Sequence, residues 1–113
     1  KCYAYNAGEL NAYLKSIVFS NVTNQNATKI CTAGQGTTDA LVQKACEKIS
    51  VKVKVGNEIE TTTGKASITG HTLSKGNGEL VTVTLEYEAG ADRADGDFTV
   101  AFGNITLNYS SVD

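Results

Sequence analysis

From residue 50 onward, hydrophobic side chains recur at every second position, and this period constrains the fold more than any other feature of the chain. Val51, Val53 and Val55 alternate with Lys52 and Lys54. Successive side chains of a strand point to opposite faces, so strict alternation predicts strands with one buried face and one face in water. The chain contains no proline, so its turns depend on glycine, asparagine and aspartate. The second half therefore predicts an antiparallel sheet of hairpins.

The first predicted hairpin follows directly from the valine and lysine alternation. A three-residue turn after Val55 brings Val55 opposite Ile59. The same register brings Lys54 opposite Glu60 on the outer face, where opposite charges stabilise a cross-strand pair.

The second predicted hairpin has a four-residue loop at residues 75–78 and pairs residues 65–74 with residues 79–88. In this register His71 lies opposite Thr82 on the outer face of the sheet. A slip by one residue would bury the charged side chains, which favours this register over its neighbours. His71 is then interpreted as a solvated strand residue rather than a catalytic base, which needs an oriented partner and a cleft.

The third predicted hairpin turns at Gly103-Asn104 and pairs residues 98–102 with residues 105–109. Its apolar side chains, including Tyr109, then share one face. The alternative is one long strand with a bulge at Gly103 that switches faces.

The first segment of the chain carries a helical signal. Asn6 and Glu9 have the spacing of a capping box. Apolar residues then follow at helical spacing: Leu10, Tyr13, Leu14, Ile17 and Val18. We expect a helix to about residue 17 and extended chain after it. The competing interpretation is a strand, because Leu14 and Val18 are an even number of positions apart and would lie on the same face of a strand.

A second helix is predicted after the glycine-rich turn at residues 34–36. Thr37 or Thr38 can cap its first turn, and Asp39 complements the positive helix end. Its apolar stripe contains Leu41, Val42, Ala45, Cys46 and Ile49. Residues 28–32 precede the turn and are rich in β-branched side chains, which predicts a short strand.

These elements predict an α+β fold, in which two N-terminal helices pack on an antiparallel sheet of four to six strands. The alternative is an immunoglobulin-like β-sandwich in which the first segment is a strand. A chain of 113 residues has the size of one domain, so we assign residues 1–113 to a single domain.

Three cysteines, Cys2, Cys31 and Cys46, predict one disulfide and one cysteine outside it. Cys31–Cys46 is the favoured pair, because it ties an extended segment to a helix and closes a loop worth about 3 kcal/mol. Cys2 is then a free thiol or bonds a neighbouring subunit, while Cys2–Cys31 and Cys2–Cys46 remain alternatives. No CxxC pair occurs and only one histidine is present, so no metal site is expected.

Other features point to the outside of a cell. The sequence contains no methionine, so Lys1 is not a translation start, and we expect a secreted or cell-surface protein that has lost its signal peptide. Four N-x-[ST] sequons occur, more than the composition predicts by chance. The candidate glycosylation sites are Asn21, Asn26, Asn104 and Asn108.

The sequence shows no catalytic or cofactor-binding constellation. It contains no GxSxG, GxxxxGK[ST] or HExxH motif, so we expect neither an enzyme nor a cofactor. The net charge of −2 argues against a nucleic-acid partner. No apolar run approaches the roughly 18 residues that a membrane-spanning helix needs, so no transmembrane segment is expected.

We therefore expect an extracellular structural or adhesive subunit, such as the repeating, pilin-like protein of a surface filament. Residues 1–78 carry a net charge of +4 and residues 79–113 a net charge of −6, which favours head-to-tail contacts between copies. The expected partners are further copies of the chain, forming an oligomer or filament, and other proteins. The alternative is a small secreted effector, toxin or inhibitor that is stabilised by its disulfide and acts on a host or competitor protein.

Overall fold

The computed structural model describes residues 2–19, 29–88 and 96–113 and is dominated by β-strands. In the described part of the chain, the elements are β1 (Cys2–Tyr5), β2 (Ala12–Phe19), β3 (Ile30–Ala33), α1 (Asp39–Cys46), β4 (Ile49–Val55), β5 (Ile59–Thr61), β6 (Lys65–Ser67), β7 (Thr72–Leu73), β8 (Gly78–Tyr87), β9 (Phe98–Ala101) and β10 (Ile105–Ser110). The only helix among these described elements is too short to cross a membrane.

The strands form three antiparallel groups. The first sheet has the order β1–β8–β4–β5. The second sheet has the order β10–β2–β6, and β7 also pairs with β2. Strands β3 and β9 form a separate two-stranded ribbon.

The centre of the first sheet confirms the alternation in the sequence. The three valines of β4 are buried, and its two lysines are partly exposed. Val55 lies opposite Ile59, and Lys54 lies opposite Glu60, as the first hairpin predicted. Gly56 at the turn has a φ of +60°, a conformation that glycine adopts without strain.

The prediction of two N-terminal helices on a sheet is wrong, because the first apolar segment forms strand β2. This strand contains a bulge: Asn108 lies opposite Ser16 and Tyr109 lies opposite Leu14, so Lys15 has no opposite residue. The buried side chains Leu14 and Ile17 are consequently three positions apart. That spacing imitates a helix, which explains the error.

The second predicted hairpin is also wrong. Strands β6 and β7 pair with β2 in the second sheet, whereas β8 pairs with β1 and β4 in the first sheet. Residues 74–77 therefore connect the two sheets. Glu88 consequently lies 3.8 Å from the Lys48 ammonium instead of facing Lys65.

The third predicted hairpin fails in the same way. Strand β9 pairs with β3, while β10 pairs with β2, so neither a tight hairpin nor one continuous strand forms at Gly103. An alternating pattern predicts which side chains of a strand share a face. It does not predict which other strand lies beside that strand in the sheet.

The first and second sheets pack face to face around one hydrophobic core. The buried members of this core are Leu14, Ile17 and Phe19 from β2, Val51, Val53 and Val55 from β4, and Val81 from β8. This two-sheet packing is compatible with the β-sandwich alternative and places the principal core between the sheets.

Helix α1 packs on the β3–β9 ribbon and forms a second, smaller core. Cys31 of β3 is bonded to Cys46 of α1, which confirms the favoured disulfide. Thr38 caps the helix by accepting a hydrogen bond from the Leu41 amide at 3.3 Å. The Gln43 side chain also donates to the Cys31 carbonyl at 2.8 Å. The second predicted helix and the strand before it are thus both present, but the helix ends at Cys46, and Ile49, predicted on its apolar stripe, is the first residue of β4.

Candidate functional site: a buried network and an outer groove

A buried group of polar side chains joins the two sheets. His71 immediately precedes β7, Glu79 is the second residue of β8, and Tyr109 belongs to β10. His71 Nε2 lies 2.6 Å from Glu79 Oε2, and the Tyr109 hydroxyl donates to Glu79 Oε1 at 2.7 Å. We call these three residues the inter-sheet network, because Glu79 comes from the first sheet and its two partners come from the second.

The network provides hydrogen-bond partners for a carboxylate that is largely removed from water. His71 is 8% exposed, and the Glu79 side chain is 10% exposed. A buried carboxylate is costly unless it is paired and hydrogen-bonded, and each Glu79 oxygen has one of these partners. At the rim, the exposed Glu58 carboxylate lies 3.6 Å from His71 Nδ1.

Backbone contacts fix the position of these side chains. The Leu14 amide donates to the His71 carbonyl at 3.0 Å, which ties His71 to β2. The Gly56 amide donates to the Leu80 carbonyl at 2.8 Å. A Cβ at Gly56 would lie 3.5 Å from Glu79 Oε2, so the turn approaches the carboxylate closely. The network is therefore held by β2 on one side and by the β4–β5 turn on the other.

The environment of Tyr109 favours its neutral, hydrogen-donating form. Burial raises the pKa of the Tyr109 hydroxyl above its ordinary value, and the hydrogen bond to Glu79 and the charge of that carboxylate raise the pKa further. Among the described residues, His71 and Glu79 have no hydrogen bond to a serine, threonine or cysteine. The observed contacts connect the two sheets through hydrogen bonds to Glu79.

The prediction that His71 is a solvated residue opposite Thr82 is wrong. His71 enters the core because the segment that carries it pairs with β2 instead of β8. A signal for the other two members was present in the sequence. Glu79 lies two positions before Val81, so both side chains point to the same face of a strand. The third predicted hairpin places Tyr109 on an apolar face. What the sequence did not show was that these faces meet.

A shallow groove crosses the outer face of the first sheet, on the other side of β8 from the core. It has a volume of about 360 Å³. Its lining includes Tyr3, Lys54, Asn57, Gly78, Leu80 and Thr82. We call it the outer groove. Tyr3 is 66% exposed and lies against Gly78, where a Cβ would overlap its ring.

Two neighbouring lysines of β4 differ in their electrostatic surroundings. Lys52 Nζ lies 3.0 Å from a Glu60 oxygen and 3.1 Å from a Glu86 oxygen. The hydrogen bonds with Glu60 and Glu86 raise the pKa of the Lys52 ammonium above its ordinary value. In the described part of the chain, no carboxylate lies within ion-pair distance of Lys54, which lines the outer groove. The groove is therefore lined by a lysine that makes no ion pair with a described carboxylate.

The structure describes two of the four predicted glycosylation residues. Asn104 and Asn108 are exposed, as a glycan acceptor must be. The Asn108 amide donates to the Ser16 hydroxyl at 2.8 Å. Asn21 and Asn26 lie outside the described residues.

Comparison of the chain with protein-family models, curated proteins and solved structures found no match. The first sheet has an exposed edge at β1, and the outer groove lies beside that edge.

Proposed function

We propose that this chain is a non-enzymatic extracellular structural or adhesive subunit that assembles with further copies by strand addition at β1. The observation that carries the proposal is the position of β1 at the edge of the first sheet. Among the described strands, only β8 pairs with it. An edge strand presents a row of unpaired backbone groups that can accept a strand from another chain.

The hydrogen bonds of Asn6 define which backbone groups face outward. The Asn6 amide donates to the Asn77 carbonyl at 2.9 Å, and the Asn6 carbonyl accepts from the Gly76 amide at 2.8 Å. Backbone groups of an antiparallel strand alternate in direction from one residue to the next. The amide and carbonyl groups of Tyr3 and Tyr5 therefore point away from β8, toward an incoming strand.

The side chains of this edge favour association. Tyr3 and Tyr5 are 66% and 64% exposed, and Leu80 on the adjacent strand is also exposed. Tyrosine contributes a large contact area and a hydroxyl that can remain hydrated, which makes it common at protein interfaces. Within the described strand, Cys2–Tyr5, no side chain is charged, and charged side chains are one of the features that keep edge strands from pairing with other chains.

The Cys31–Cys46 disulfide supports an extracellular location. Disulfides persist in oxidising compartments and stabilise small secreted domains whose cores are limited in size. Cys2 is exposed and lies outside this bond, at the start of the same edge strand.

The assembly state tests this proposal. We expect sedimentation velocity to show oligomers whose size increases with protein concentration, and negative-stain images to show linear assemblies. A monomer at every concentration contradicts the proposal and favours the alternative of a small secreted effector or inhibitor.

A matched pair of variants separates strand addition from contacts of the tyrosine ring. Tyr5→Ala and Tyr5→Pro both remove the ring, but only Tyr5→Pro also removes the outward amide. Proline is tolerated at the free edge of a sheet because no ladder hydrogen bond is lost there. We expect Tyr5→Pro to assemble much less than Tyr5→Ala at equal folded content. Equal assembly of the two variants would show that β1 does not accept a strand.

A further inference from the structure

We propose that the outer groove binds a carboxylate-bearing sugar of an acidic glycan, with Tyr3 as the stacking platform and Lys54 as the carboxylate partner. The proposal goes beyond assembly and requires only one copy of the chain, because the lining residues all come from β1, β4, β8 and the β4–β5 turn. The groove volume of about 360 Å³ lies at the small end of ligand pockets, which suits one sugar residue of a longer glycan.

Tyr3 provides an aromatic surface that the fold holds in place. Its Cα pairs with Leu80, and its ring lies against Gly78, where the missing side chain leaves room. The ring remains largely exposed. The C–H face of a pyranose can pack on such a ring while the phenolic hydroxyl stays hydrated.

Lys54 specifies the charge of the ligand. Its ammonium has no carboxylate partner among the described residues, whereas neighbouring Lys52 has two. A half-buried cation at a groove is complementary to a single carboxylate, and such charge-assisted pairs are stronger than neutral hydrogen bonds. The net charge of −2 argues against a nucleic acid as the ligand.

Polar side chains suited to sugar hydroxyls complete the groove. The Asn57 amide group and the Thr82 hydroxyl each offer a donor and an acceptor. Among the described residues, neither side chain has a hydrogen-bond partner. Glu79 contributes to the lining but directs its carboxylate to His71 and Tyr109, so both of its oxygens are already hydrogen-bonded within the inter-sheet network.

The test is a titration of the isotope-labelled protein with three probes: sialyllactose, an oligogalacturonate and lactose. We expect the amide resonances of Lys54, Asn57 and Thr82 to shift with an acidic probe. Lactose is expected to bind at least about tenfold more weakly, because it lacks the carboxylate. A response to sialyllactose alone identifies a sialic acid, and a response to the oligogalacturonate alone identifies a uronic acid. No response to either acidic probe, or equal binding of lactose, overturns the proposal.

Matched variants assign the binding to the groove. Lys54→Gln is expected to weaken binding of the acidic probe by about tenfold, whereas Lys44→Gln on α1 removes the same charge elsewhere and is expected to bind normally. Tyr3→Phe retains binding and Tyr3→Ala loses it. If Tyr3→Ala does not fold, the two lysine variants still decide, and unchanged affinity of Lys54→Gln overturns the proposal. Tyr5→Pro is expected to bind the probe without assembling, so failure of assembly and failure of glycan binding are distinguishable.

Discussion

The Tyr109 hydroxyl donates to Glu79 Oε1 at 2.7 Å and thereby links strand β10 of the second sheet to strand β8 of the first. The opposite oxygen of the same carboxylate contacts His71 Nε2 at 2.6 Å. Hydrophobic contacts between the sheets are non-directional, so they constrain the relative position of the sheets less sharply than a hydrogen bond does. A directional polar contact does specify it, because a displaced sheet would leave a buried carboxylate without its partners.

We expect Tyr109→Phe to lower the free energy of unfolding by about 1–3 kcal/mol, because it leaves one oxygen of a buried carboxylate without its donor. Urea denaturation followed by circular dichroism measures the change. Tyr5→Phe is the control, since the Tyr5 side chain is exposed, and its effect is expected to stay within about 0.5 kcal/mol. Equal effects of the two variants would show that Glu79 does not depend on Tyr109.

Stability is expected to fall in alkaline solution because the pKa of Tyr109 is raised in the folded protein. Below about pH 10 the phenol is protonated in both states, so the full contribution of the hydrogen bond is present. Above that pH the unfolded state loses the proton while the folded state retains it, and stability decreases with increasing pH. Urea midpoints near neutral pH and at about pH 11 test this. Tyr109→Phe is expected to show a smaller alkaline loss than the wild type, and an identical loss contradicts the assignment.

Local features of the fold could be predicted from the sequence, whereas the pairing of the strands could not. The alternation around Val53 specifies a buried face, and the spacing of Cys31 and Cys46 is compatible with one bridge. By contrast, Leu73 and Glu79 are close in sequence but lie in different sheets. No local propensity encodes that separation, because a strand with one apolar face fits either sheet.

The buried network shows the same limit. Glu79 and Tyr109 are each an even number of positions from apolar residues of the same strand, which indicates that both side chains face a core. His71 was misplaced because its predicted partner was β8, and the correct partner, β2, was itself predicted to be a helix up to residue 17. The bulge at Lys15 contributed the misleading helical spacing in β2, whereas the misplacement of His71 also required the wrong pairing of its own segment with β8.

The two threonines before α1 are expected to respond differently to substitution. Thr38→Ala removes the side-chain acceptor of the helix cap and is expected to cost about 1 kcal/mol. The buried Thr37 hydroxyl has no hydrogen-bond partner among the described residues, so Thr37→Val is expected to be neutral or stabilising. Thermal and urea unfolding of the two variants test this. A larger loss from Thr37→Val than from Thr38→Ala would show that Thr37 is the true cap.

Loss of the Cys31–Cys46 disulfide is expected to loosen the smaller core more than the sandwich, because the bond ties α1 to β3 and both cysteines belong to that smaller core. The double variant Cys31→Ala/Cys46→Ala opens a cross-link between residues 15 positions apart, which is worth about 3 kcal/mol. Hydrogen exchange should accelerate in α1, β3 and β9, while amides of β4 and β8 keep most of their protection. Cys2→Ser is the control, because that thiol is exposed and unbonded, and it should leave exchange unchanged. Uniform acceleration across both cores in the double variant would show instead that the chain unfolds as one cooperative unit.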